Sequence, residues 1–240
     1  MERQIKREKE PQKIWAWGCC AVFCAVSGVA FFLRGDMIEG LICWGSLLLI
    51  SIPPMLERYL HWDLNRTFFL FCVLYAMGPM LGKAFKLYYL TNWWDKLLHT
   101  SAGFLFAVFG TYLAVILNRG KDTSLLLQML FGVVFSIAVS ALWEMVEFGV
   151  DWIFGADMQN DTVVHAVHSY LLSDTPGVIF DIPQIQEVTV NETVLEIGGY
   201  LDIGLIDTMQ DMLVETAGAA VFGLWHMADR NRHPLIRMCA

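Results

Sequence analysis

The sequence predicts an all-α protein: a polytopic membrane helix bundle of about six transmembrane helices, with a roughly 50-residue external connection between the fifth and sixth. Two observations carry that reading. Of the 240 residues, 56% are hydrophobic and 17% charged, and the apolar residues fall in long blocks rather than in the short alternations of a soluble core. The basic residues gather between alternate blocks, as they do when Lys and Arg are retained in cytoplasmic loops.

A bilayer core is crossed by about 20 apolar residues in a helix. The first block, 14–33, follows Arg3, Lys6, Arg7, Lys9 and Lys13 and is longer than the apolar region of a signal peptide, so it reads as a retained helix. The second, 37–56, contains Pro53-Pro54, which kinks or ends it. The third, 67–86, is completed only if Lys83 and Lys86 snorkel to the surface. The fourth (96–117), fifth (124–150) and sixth (204–227) complete the set. A single transmembrane domain, 14–227, therefore lies between basic tails 1–13 and 228–240, and it includes an external acidic insertion, 155–203.

Orientation follows from charge. The N-terminal tail, Arg58 with Arg66, Arg119 with Lys121, and Arg230, Arg232 and Arg237 fit one side, the cytoplasm. The expected protein is multi-pass in the inner (cell) membrane with both termini cytoplasmic. From 151 to 203 there is no Lys or Arg, while Asp151, Asp157, Asp161, Asp174, Asp181, Glu187, Glu192, Glu196 and Asp202 make that connection an acidic outer surface. Within it, Asp161 is expected to cap a short amphipathic helix through Leu172, lying on the membrane with Val163, Val164, Val167, Tyr170 and Leu171 on its apolar side. His165 and His168 then read as solvated. Two β-prone runs around Asn191-Glu192 predict a hairpin.

The cysteines, Cys19, Cys20, Cys24, Cys43, Cys72 and Cys239, show no disulfide framework and no CxxC metal pattern. Polar residues inside the spans are more informative, because a charge in hydrocarbon is costly and marks a protein interior or wet cavity. On the expected topology, Asp95 and His99 enter helix four, Glu144, Glu147 and Asp151 leave helix five, and Asp207, Asp211 and Glu215 re-enter on helix six. Spacings of three, four and seven put each set on one helical face, and all eight fall in the outer half. Gly103, Ala107, Gly110 and Ala114 on helix four, and Ala217, Gly218, Ala219, Ala220 and Gly223 on helix six, offer small-residue ridges for close packing.

So many carboxylates cannot all ionise side by side in a low dielectric without compensation. Either several hold protons or a cation is bound. The expected divalent metal ligands are Asp95, His99, Glu144, Glu147, Asp207 and Asp211, with Asp151, Thr208, Gln210 and Glu215 as secondary candidates. Oxygen-rich ligation with one imidazole suits Mg, Mn, Ca or a zinc-like ion. His226, near the inner end, and Trp143, beside Glu144, read as an interfacial and a packing residue.

Three segments carry a family resemblance: Trp94-Asp95-Lys96-Leu97-Leu98-His99; Trp143-Glu144-Met145-Val146-Glu147-Phe148, followed by Asp151 and Gly155-Ala156-Asp157-Met158-Gln159; and Gly204-Leu205-Ile206-Asp207-Thr208-Met209-Gln210-Asp211. Together they resemble the YjdF-like family of bacterial inner-membrane proteins over roughly 67–227, a resemblance that implies no particular activity. The Asp-Lys-x-x-His segment with later helix carboxylates is more distantly similar to VanZ-like proteins.

Three functions compete. One is metal-dependent chemistry on a lipid-linked or envelope substrate at an outward-facing pocket, with Glu144, Glu147 or Asp211 left free as the general base. No nucleophile signature, Gly-rich phosphate loop or HExxH narrows the reaction. A second is a structural or accessory envelope protein whose polar cluster fixes helix packing and whose 155–203 segment meets an envelope partner. A third, a cation or proton transporter, is disfavoured because no matching carboxylates line the inner half. The partners are membrane lipids, and the few basic residues exclude a nucleic-acid role.

Overall fold

The computed structural model describes residues 10–118, 122–229 and 235–238. It is mostly helical: α1 Pro11–Arg34, α2 Met37–Ile50, α3 Ile52–Tyr59, α4 Arg66–Ala76, α5 Gly78–Lys83, α6 Leu87–Leu90, α7 Trp94–Leu117, α8 Leu125–Phe154 and α9 Leu205–Ala228. Among the described residues, four stretches are long and apolar enough to cross a bilayer: Pro11–Arg34, Met37–Tyr59, Trp94–Leu117 and Leu125–Phe154. The third expected span is not one helix. It breaks between α4 and α5, where Pro79 removes a backbone donor and forces a new start. Pro53-Pro54 do not kink a helix midway; they open α3 immediately after Ser51 closes α2.

The chain divides into two compact units, Met1–Ile137 with Val214–Ala240, and Ala138–Leu213, the boundaries falling inside α8 and α9. In the first unit the helices approach through glycine. A Cβ on Gly28 would stand 2.2 Å from the Trp44 ring, and one on Gly103 would stand 1.9 Å from the carbonyl oxygen of Glu215. A Cβ on Gly218 would lie 2.0 Å from the Thr100 carbonyl, so α7 and α9 cross backbone to backbone at Gly103 and Gly218. Ala219 and Phe222 complete that seam from the buried side, whereas Ala217 and Ala220, expected on the same ridge, are exposed. Ser136 of α8 donates to the Gly103 carbonyl at 3.0 Å, which satisfies both groups in an otherwise apolar core.

At another part of this unit, β1 (Trp62–Leu64) pairs antiparallel with β8 (Ile236–Met238), and the Asn65 N–H donates to the Leu235 carbonyl at 2.8 Å. Lys13, only 6% exposed, lies beneath them. Its ammonium donates to Glu57 at 3.0 Å and to the Leu64 carbonyl, with Asp63 at 3.7 Å, so the buried cation is paired as burial demands.

In the second unit α8 ends at Phe154, and Gly155, with φ +61°, takes the left-handed cap position. Short ladders follow: β2 (Thr162–Val164) with β7 (Tyr200–Asp202), β3 (Val167–Ser169) with β4 (Phe180–Ile182), and β5 (Val188–Val190) with β6 (Thr193–Leu195). The expected surface helix over 161–172 is thus replaced by two strands. Its valines and Thr162 are β-branched, and the ladders give their backbone groups partners that a solvated helix would supply only internally. The β5–β6 hairpin forms as expected, with Asn191 at φ +48° and Glu192 at φ +67° in the two-residue turn.

Candidate functional site

Helix periodicity delivers the polar residues to buried stripes. On α8 the buried positions run Ser136, Ser140, Glu144 and Glu147, at steps of four, four and three; on α9 they run Asp207, Asp211 and Glu215. Asp211 is 1% exposed and Glu215 2%, values seldom tolerated for carboxylates without a purpose. Gln210, in the second turn of α9, is exposed and lies off this buried stripe. The sequence signal for the α8 serines is their spacing, Ser136 and Ser140 standing eight and four residues before Glu144.

In the first unit His99 stands between two carboxylates. Its Nε2 lies 3.8 Å from Asp95 Oδ1, one turn back on α7, and its Nδ1 lies 3.7 Å from Glu215 Oε2 on α9. The close α7–α9 crossing makes the second approach geometrically available. Lys96 stands 3.3 Å from the other Asp95 oxygen. Glu215 Oε1 is buried and takes no hydrogen bond among the described residues.

These positions set limits on a metal ion. Asp95 and His99 each offer a ligand atom within 4.8 Å of the other. Two donors held about 2.1 Å from one ion stand at most about 4.2 Å apart, and the 3.8 Å between Asp95 Oδ1 and His99 Nε2 satisfies that bound. Glu215 faces the opposite ring nitrogen. At 3.7 Å it is an ion-pair neighbour rather than a hydrogen-bond acceptor, and it leaves Nε2 on the Asp95 side.

In the second unit two expected ligands are occupied in another way. Asp151 accepts the backbone N–H groups of Met158 at 2.7 Å and Gln159 at 2.9 Å. Asp207 accepts from the Asn160 backbone at 3.0 Å and from its side chain at 3.2 Å, while the Gln159 amide donates to Thr208 Oγ1. Gly204 completes this clasp: at φ +91°, a Cβ there would meet Gln159 at 2.5 Å. The aspartates thus tie the two ends of the connection together. Asn160 was absent from the sequence motifs because a loop amide has no periodic signature.

Other side chains settle locally. Trp143 is half-exposed and donates its indole N–H to Glu147 at 2.8 Å, rather than packing in the core. His226 meets Gln128 at 3.1 Å and stacks on Phe222. His168 pairs with Asp181 at 2.6 Å on the surface, and His165 contacts the Gly198 carbonyl.

A family model described as a predicted membrane protein (DUF2238) matches residues 13–232. No curated protein and no solved structure matches the chain.

Proposed function

Because the chain belongs to this family of predicted membrane proteins, we propose that it is a six-span inner-membrane protein that holds a divalent cation on Asp95 and His99. Glu215 orients the imidazole, and the ion serves chemistry on a lipid-linked or envelope substrate. The single observation behind this is a buried histidine set between two carboxylates within apolar helices. Glu144, Glu147 and Asp211 are buried carboxylates of the second unit, and each is of the residue type that a general base requires. The three sequence motifs support a YjdF-like affiliation within the family.

The six spans combine the four apolar stretches with the broken α4–α5 pair and with α9, whose carboxylates occupy its buried stripe rather than its lipid-facing sides. Pairing of β1 with β8 favours putting the loop after α3 and the C-terminal segment on the same side, and the basic residues favour the cytoplasm for that side. The acidic 155–203 segment is then external and available to an envelope partner.

A structural reading applies to Asp151 and Asp207, whose hydrogen bonds to loop donors account for them without an ion. The two readings separate by elemental analysis of detergent-purified protein, reconstituted with Mg, Mn, Ca and Zn, beside folded Asp95→Asn and His99→Gln variants. Stoichiometric metal that both variants lose supports the site. A metal-free parent after reconstitution would sink it and leave the helix-packing role.

A further inference from the structure

We infer that the β3–β4 hairpin tip, residues 170–180, is a membrane-surface anchor that seats its apolar side chains at the headgroup level of a phospholipid bilayer. The tip carries Tyr170, Leu171, Leu172, Val178, Ile179 and Phe180, all exposed, Leu171 to 91%. An exposed cluster of this kind marks an interaction surface.

The local backbone is suited to lipid. Residues 175–178 form a turn with Pro176 and Gly177 at its centre; Gly177 has φ +78° and the Val178 N–H donates to the Thr175 carbonyl at 3.2 Å. Ser169 Oγ accepts the Leu171 N–H at 3.1 Å, and Ser173 Oγ accepts the Thr175 N–H at 3.3 Å. Polar backbone groups approaching hydrocarbon need such internal partners. Asp174 is the one charged residue in the tip. It holds the immersion to the interfacial layer, about 5–10 Å deep.

Tethering selects lipid over a soluble partner. The hairpin belongs to the same compact unit as the end of α8, a helix long and apolar enough to cross a bilayer. The last turn of α8 leaves Trp152, Ile153 and Phe154 exposed to 80%, 70% and 77%. Asn160 is clasped to Asp207 at the start of α9. From there to Tyr170 the chain spans at most about 36 Å, which keeps the tip within reach of the membrane surface that α8 enters. With no Lys or Arg from 151 to 203, attraction to anionic headgroups is not the driver. Neutral lipid is enough.

The test uses the full chain in phosphatidylcholine nanodiscs, with photoreactive benzoylphenylalanine placed at Leu171, at Ile179 and, for comparison, at Glu192 in the β5–β6 turn. Each variant must elute as the parent does. The expected result is phospholipid adducts at Leu171 and Ile179 at least five-fold above those at Glu192, by mass spectrometry. Equal adduct yields at all three positions, or polypeptide adducts in place of lipid at the tip, would overturn the inference. The outcome is independent of the Asp95–His99 reading.

Discussion

His99 Nδ1 lies 3.7 Å from Glu215 Oε2, across the helix crossing made possible by Gly103 and Gly218. The contact gives the imidazole a direction. With Nδ1 toward Glu215, Nε2 and the Asp95 carboxylate are left able to face one ion. Glu215→Gln is therefore expected to weaken divalent-ion affinity about 10–100-fold, the usual cost of losing an orienting carboxylate, whereas His99→Gln abolishes binding. Calorimetric titration of the two folded variants distinguishes them. Unchanged affinity in Glu215→Gln would remove the orienting role.

Asp151→Asn is expected to leave metal content unchanged but to lower stability by about 1–3 kcal/mol, since two backbone donors lose a charged acceptor. Thermal unfolding in detergent, read beside elemental analysis, checks both parts. Metal loss without destabilisation would return Asp151 to the ligand set.

Gly103→Ala places a Cβ where the Glu215 carbonyl oxygen already sits, and backbone cannot swing aside as a side-chain end can. Marked destabilisation is expected, together with loss of any ion bound at His99, because the crossing carries Glu215. Gly45→Ala on α2 is the control, with nothing within 4 Å of the added carbon. Equal melting temperatures for the two variants would dismantle the close-crossing argument.

The helical stripes were legible in the sequence because period 3.6 leaves a mark: Asp207, Asp211 and Glu215 share one buried face as their spacing demands. The break between α4 and α5 leaves no such mark, since a block of sufficient apolar length hides whether Pro79 interrupts it. Nor does the strand pair β2–β7, whose pairing joins residues almost forty positions apart and has no local signal. The clasp on Asp151 and Asp207 leaves no local mark either. A carboxylate at a helix end looks alike in sequence whether it meets an ion or a loop amide, and only the fold brings Met158, Gln159 and Asn160 to it.

The hairpin turn supplies a prediction independent of the membrane site. Asn191 and Glu192 both hold positive φ, a pairing that favours Asn-Gly, and Glu192 bears the steric cost of a Cβ in the left-handed region. Glu192→Gly relieves about 1 kcal/mol there, while the gain in chain freedom when unfolded offsets part of it. Because the hairpin is a local ladder of three residue pairs from Val188↔Leu195 to Val190↔Thr193, the benefit should stay local. Hydrogen exchange at the β5 and β6 amides is expected to slow up to about five-fold, with no change in the global unfolding midpoint. Faster exchange in the variant would mean that the Glu192 side chain, rather than the turn geometry, holds the two strands in register.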